Sequence, residues 1–266
     1  MPPHNDAGVD VSHQELVRAE FSRQAEAMAS APAFSAAAII DRFKDAIASK
    51  ASGVMLDLAC GPAILLASLA STMRLSVGVD ATPKMIQMAR AKCRAASTAN
   101  THFVESLAED LPFAAAAIDC VVTRLSIHHF LDPLVVLREV KRVLKPDGLL
   151  VIGDLTSSED PTESRLHNAL EQLRDPSHIR MLPESELLQI VNAAGFRVIA
   201  TGHWLQQRQF KEWAAIVENA RSLQSLEVAM RTIAERGVTA GIDLRVSADS
   251  VEFAHRWVFI AAQPVT

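Results

Sequence analysis

The chain has 266 residues, enough for one core domain and an elaboration. Its 49% hydrophobic and 21% charged residues are ordinary for a globular protein. A net charge of −5 supplies no basic field for nucleic acid or an anionic membrane, and no apolar run approaches the roughly 20 residues that span a bilayer.

Residues 1–12 carry neither a basic region nor an apolar core, so they read as a disordered tail and not a signal peptide. Cys60, Cys93 and Cys120 lie in apolar or helical stretches without metal-ligand spacing, which fits reduced thiols and a cytoplasmic protein. Two helical patterns follow, over 12–28 with Leu16, Phe21 and Met28 as apolar points, and over 36–48 with Ile39, Ile40, Phe43 and Ile47.

A buried strand is predicted over 54–58, because Val54, Leu56 and Leu58 suit a strand covered on both faces. Asp57 is the odd residue there, since a carboxylate in an apolar strand must find donors. Ala59, Gly61 and Ala63 have little or no side chain, so a ligand can approach the backbone of this turn closely. The helix predicted next would aim its first amides at the same spot, a place for a carboxylate or phosphate. Only one glycine of a dinucleotide G-x-G-x-x-G pattern is available, which disfavours a nucleotide-dependent dehydrogenase. The next strand, over 75–80, ends in Asp80, at the distance where α/β nucleotide folds hold ribose hydroxyls with a carboxylate. Thr82 and Pro83 then open a helix as N-cap and first-turn residue.

Asp57 with its small-residue turn, and Asp80 after it, resemble the first and second motifs of the class I S-adenosylmethionine-dependent methyltransferases. The closest likeness is to the small-molecule branch that includes the quinone-biosynthesis C-methyltransferases (methyltransferase type 11). The resemblance implies a doubly wound α/β fold with a seven-stranded, mostly parallel sheet and helical cap insertions at about 157–182 and 205–250. Residues 13–50 would be N-terminal helices closing over the cofactor, with 51–266 as the core. It implies S-adenosylmethionine as cofactor, with S-adenosylhomocysteine as product. Asp57, Ala59, Gly61 and Ala63 would hold its methionine end, Asp80 and Ala81 its ribose side, and Met85 its adenine. Phe21 and Gln24, in a segment like the family's closing helix, would complete the pocket, although an exposed amphipathic helix is an equal reading of those residues.

A third strand over 102–105 leads into Leu107, Ala108 and Glu109. The family usually has aspartate at position 107, accepting from the adenine amine. Leucine cannot accept, so backbone, Glu109 or water must serve. Ala63 stands where the family usually has glycine, and its methyl is expected to require φ below zero. A fourth strand, over 118–125, ends near Arg124 and Leu125, which the resemblance gives to the cofactor. It runs into Ser126-Ile127-His128-His129-Phe130-Leu131-Asp132-Pro133, similar to the family's His-His-Phe-x-Asp-Pro segment. His128 and His129 are the candidate bases, the alternative being a histidine packed at the sheet edge that caps the next helix. Such short spacing does not assemble a hydrolase triad from Ser126, His129 and Asp132, and two adjacent histidines make no metal site, so no metal is expected.

A helix over 134–144 and a Lys-Pro-Asp-Gly turn feed a fifth strand over 149–154. Helices follow over 162–173 and 183–194, a sixth strand over 196–204, two amphipathic stretches over 209–219 and 223–236, and a last strand over 251–262. Arg174, His178 and Arg180 form a polar cluster that the family would place on the substrate side, against the alternative of a loop held by salt bridges. Trp204, Phe210 and Trp213 would form an apolar substrate wall.

The function expected is methyl transfer to a small organic acceptor by in-line attack. A second expectation, resting on Leu107 and Ala63, is a methyltransferase-fold protein that catalyses a cyclisation or isomerisation, or only binds a ligand. Nucleic-acid methylation is disfavoured by the acidic balance and the lack of an Asn/Asp-Pro-Pro-aromatic motif. A small-molecule substrate, no nucleic acid and no membrane partner follow, and a homodimer is left open.

Overall fold

The computed structural model describes residues 7–30, 37–217, 220–247 and 250–265. Helix α1 spans Ala7–Ser30 and α2 Ala37–Ile47. The tail expected over 1–12 is therefore helical from residue 7, and its first six residues lie outside the described ones. Five parallel strands follow: β1 (Val54–Leu58), β2 (Leu75–Asp80), β3 (Thr101–Glu105), β4 (Ile118–Arg124) and β5 (Leu144–Thr156). Helices α3 (Ile64–Leu69), α4 (Pro83–Ala95) and α5 (Pro133–Val143) lie between them. The chain continues through α6 (Pro161–Arg174), α7 (Glu184–Ala193), β6 (Phe196–Gln209), α8 (Phe210–Ala214), α9 (Ala220–Glu235), β7 (Arg245–Ser247) and β8 (Ser250–Pro264).

The strand order is β3-β2-β1-β4-β5-β8-β6, with β8 antiparallel to both β5 and β6. The seven-stranded sheet gains a short eighth strand, β7, which forms a hairpin with the start of β8. Order reverses between β1 and β4, and in open α/β sheets this is where a crevice opens beyond the carboxyl ends of the strands.

Strand alternation divides the core in two. Val54, Leu56 and Leu58 join Val136, Leu137 and Val140 of α5 and Leu187 and Val191 of α7 on one face. Met55 joins Ile39, Phe43 and Ile47 of α2, Leu65, Leu66 and Leu69 of α3, and Ile86 and Ala89 of α4 on the other. Gly153 lets Phe43 lie on β5, because a Cβ there would sit 2.8 Å from its ring. A third apolar cluster, with Leu170, Phe210, Trp213, Leu226, Met230 and Phe253, packs the cap. Asp132 caps α5, accepting from the amides of Leu134 and Val135, so neither histidine does. Thr82 holds the N-cap position of α4 without a side-chain capping bond. The three cysteines are buried and unpaired. No described helix is long and apolar enough to cross a membrane.

Candidate active site

One cavity lies at the switch point and gathers most of the predicted cofactor residues. It is lined by Phe21, Asp57, Ala59, Gly61, Asp80, Ala81, Met85, Leu107, Ala108, Glu109, Arg124 and Leu125, with His129. Ala63, fully buried behind the turn, and Gln24 and His128 are not part of its wall.

The turn after β1 explains the opening. Ala59, Gly61 and Ala63 take φ of 54°, 52° and 59°, so every second residue is left-handed. The condition expected for Ala63, a negative φ, is not met. Its methyl is carried in the left-handed region, which costs about 1–2 kcal/mol for a non-glycine residue. The turn is held by Ala63 N donating to Cys60 O at 3.0 Å and by Gly61 N donating to Asp80 Oδ2 at 2.9 Å. Asp80 Oδ1 accepts from Thr82 N at 2.9 Å. The two backbone donors fix the Asp80 carboxylate at the rim, and burial raises its pKa against their pull.

Asp57 faces the α2–α4 side and is buried. Its Oδ2 accepts from Leu66 N at 3.1 Å, so one of the amides expected to face a ligand is satisfied by the chain itself. Burial pushes its carboxyl up to about 7, opposed by the nearby Arg124 charge. Arg124 is in turn lowered to about 10 by burial, with Asp57 resisting. A buried carboxylate and a guanidinium in one wall suit an amino-acid zwitterion, whose ammonium and carboxylate need one of each.

The two histidines divide. His128 is buried behind the cavity with Nδ1 2.6 Å from Asp154 Oδ1. Burial lowers its pKa, but the Asp154 charge and hydrogen bond outweigh this and leave it raised. Asp154 Oδ2 also accepts from Ser126 N and Ile127 N at 3.1 and 2.7 Å, so the pair anchors the turn rather than facing a ligand. His129 lines the cavity. Its Nδ1 donates to Ser177 O at 3.0 Å, which leaves Nε2 as the acceptor nitrogen. Burial, then the His128 charge, lowers its pKa to about 4, so it is neutral at physiological pH.

Helix α1 covers this site. Phe21 packs edge-on against His129, His13 Nε2 lies 3.1 Å from His129 O, and Arg18 Nε donates to Ala81 O at 3.0 Å. Gln24 does not reach the cavity because its amide donates to Asp175 Oδ2 at 3.1 Å. Asp175 also accepts from Ser177 N and Oγ, so Gln24 ties α1 to the turn that orients His129. His13, Gln14, Val17 and Met28 line the cavity too and were not anticipated. Their spacing with Phe21 marks one helical face, and that stripe was the available signal.

None of the six predicted substrate-side residues, Phe210 included, lines this cavity. Arg174 is held by Glu171 Oε2 at 3.2 Å and lies over the Trp213 ring, 4.8 Å from its centre. His178 Nε2 is pinned to Asn168 Oδ1 at 2.8 Å, and Arg180 forks onto Glu186. Trp204 stacks on Trp257 at 5.1 Å, and Trp213 is buried in the cap cluster.

A Rossmann-like sheet with acids at the ends of β1 and β2, and a small-residue turn between them, defines an α/β fold of the class I methyltransferase type. Residues 56–152 match the family model of the methyltransferase domain. The uncharacterized methyltransferase YcgJ of Bacillus subtilis is 32% identical over 159 residues, covering 60% of this chain and 63% of that protein. The uncharacterized protein YafE of Escherichia coli is 33% identical over 147 residues, covering 55% of this chain and 71% of that protein. Demethylmenaquinone methyltransferase of Clavibacter sepedonicus is 27% identical over 199 residues, covering 74% and 73%. The crystal structure of YcgJ shares the fold, with a TM-score of 0.75 and 24% identity over 85% of this chain and 99% of that one. The chain belongs to the class I S-adenosylmethionine-dependent methyltransferase family. Its sequence match spans just under two thirds of the length of YcgJ.

Proposed function

We propose that this protein transfers a methyl group from S-adenosylmethionine to a small organic acceptor. The observation that carries the reading is the convergence of Asp57, Asp80, Met85 and His129 on one cavity at the switch point. The residues present fit the cofactor chemically. Asp57 and Arg124 match the charges of an amino acid, and Asp80 offers a fixed acceptor pair for ribose hydroxyls. Met85 and Leu107 give apolar contact for a base, while Glu109 and the backbone of the same loop can meet its polar edge in place of the family's aspartate.

When bound, S-adenosylmethionine supplies a methyl made electrophilic by the sulfonium charge. The chain's task is then alignment and proton removal. His129 is the base this reading assigns, taking a proton at Nε2 while Ser177 O holds the other nitrogen. Burial holds the ring neutral, so Nε2 can receive the acceptor's proton as the methyl is transferred. Val17, Phe21, Phe130 and Leu131 make the remaining wall apolar, which favours a ring or hydrocarbon body on that acceptor.

The test is incubation with methyl-labelled S-adenosylmethionine and a panel of phenols, quinols and enolisable acids, read by mass spectrometry. A labelled product lost in His129→Gln supports the reading. Tight cofactor binding with no label moved to any acceptor would instead favour the non-methylating reading.

A further inference from the structure

Beneath the cap, away from the cavity, three side chains converge whose roles the methyltransferase reading does not use. His167 and Glu171 lie one turn apart on α6, and His255 faces them from β8. All three are buried, at 1–3% exposure. They are the cluster among the described residues whose ligand atoms, one from each side chain, lie within 4.8 Å of one another. Glu171 Oε1 is 3.0 Å from His255 Nε2 and 3.6 Å from His167 Nε2. These distances bracket the roughly 3.3 Å between donors that bonds of about 2.0–2.1 Å impose in a tetrahedral shell.

His167 is the independent sign of a ligand. Neither of its ring nitrogens has a hydrogen-bond partner, although both are buried. Leaving such a buried ring unsatisfied is costly, and its Nε2 lies 3.6 Å from the carboxylate oxygen it fails to bond. Glu171 Oε2 is taken by Arg174 Nε at 3.2 Å, which orients the carboxylate, while Oε1 meets His255 Nε2 at 3.0 Å, a hydrogen bond that a metal held between them would replace.

We infer that His167, Glu171 and His255 bind a divalent transition metal, with zinc the best match, and so clamp α6 of the cap to β8 of the sheet. Two imidazoles and one carboxylate are a zinc-type donor set, poor for the all-oxygen shells of magnesium or calcium. The charges of Arg174 and Arg208 nearby also select against a weakly coordinated cation, since only strong nitrogen bonding offsets them. The inference stands apart from methyl transfer.

The test uses the full-length protein, with any affinity tag removed, dialysed against chelator and titrated with zinc and with cobalt. Expected are one zinc per chain, a rise in Tm on zinc addition, and intense visible cobalt bands of a tetrahedral site. His167→Gln and Glu171→Gln should each lose the cobalt bands and at least tenfold in zinc affinity, with circular dichroism and S-adenosylmethionine affinity reporting the fold. Wild-type protein that takes up no zinc overturns the inference, as does uptake unchanged in both variants. Stabilisation by benzoate or inorganic phosphate without zinc uptake would also overturn it and assign the cluster to an anion.

Discussion

Phe21 rests edge-on against His129, the ring centroids 4.8 Å apart and the planes at 72°. This contact joins the closing helix to the candidate base. Because α1 is otherwise fastened at the rim by Arg18 and through Gln24 to Asp175, its removal at this point loosens the acceptor wall without detaching the helix. Phe21→Ala should raise the acceptor KM about two- to tenfold, as loss of an aromatic contact of about 0.5–1.5 kcal/mol implies, with a smaller change in cofactor Kd. Steady-state kinetics with the acceptor varied at saturating cofactor measures this. An unchanged KM would place the acceptor elsewhere.

The neighbouring histidines should fail differently. His129→Gln should lower kcat about 10²-fold or more with little loss of stability. His128→Gln should instead lower Tm, because it leaves Asp154 buried without its charged partner, a loss of about 3–5 kcal/mol. The pH dependence follows from the shifts. The raised pKa of His128 gives stability that is full below 6.5 and lost as pH rises through its folded value. The lowered pKa of Asp154 gives stability present above 3.8 and lost as pH falls through its folded value. The Tm gap between wild type and His128→Gln should therefore be widest between about pH 4 and 6.5, and thermal scans across pH 3–9 measure it.

Asp57 should impose a pH dependence on cofactor binding. Its pKa near 7 means that much of the free protein carries a neutral carboxyl at and below neutrality, while an ammonium group selects the carboxylate. Affinity for S-adenosylmethionine should fall about tenfold per pH unit below 7 and level off above it, with a proton released on binding at pH 6. Calorimetry in buffers of different ionisation heat reads both quantities. In Asp57→Asn the slope should vanish along with most of the affinity.

Left-handed backbone at a residue with a Cβ should be relievable. Ala59 has φ of 54° and is only half-buried, so its methyl contributes little packing. Ala59→Gly should stabilise the protein by about 1 kcal/mol, seen as a higher denaturant midpoint. Ala59→Val should lower the midpoint and crowd the cavity wall.

Much of this site was legible in the sequence where chemistry and local spacing coincide. Asp57 was conspicuous as a carboxylate in an apolar strand, and Asp80 as an acid at the next strand end. Both reach one cavity because β1 and β2 are paired neighbours, Asp57 lying opposite Gly78. Distinguishing His128 from His129 needed Asp154, 26 residues away in the chain and delivered by β5. The polar run from Arg174 to Arg180 looked like a ligand site because its partners were invisible. Glu171, Asn168 and Glu186 satisfy it from two flanking helices. Trp213 read as a pocket wall, yet the cap has a core of its own to fill. The convergence of His167 and Glu171 with His255 depends on a strand over 80 residues further on, which no local spacing reports.

The assignment of the cavity as a cofactor site held by Asp80 calls for calorimetric titration of the purified protein with S-adenosylmethionine and S-adenosylhomocysteine, beside Asp80→Ala and Asp80→Asn. Micromolar binding to the wild type is expected. Asp80→Ala should weaken it by tenfold or more, since a charged acceptor bond contributes about 1.5–3 kcal/mol, and Asp80→Asn should fall between. Binding unchanged in Asp80→Ala, or absent from the wild type, would contradict it.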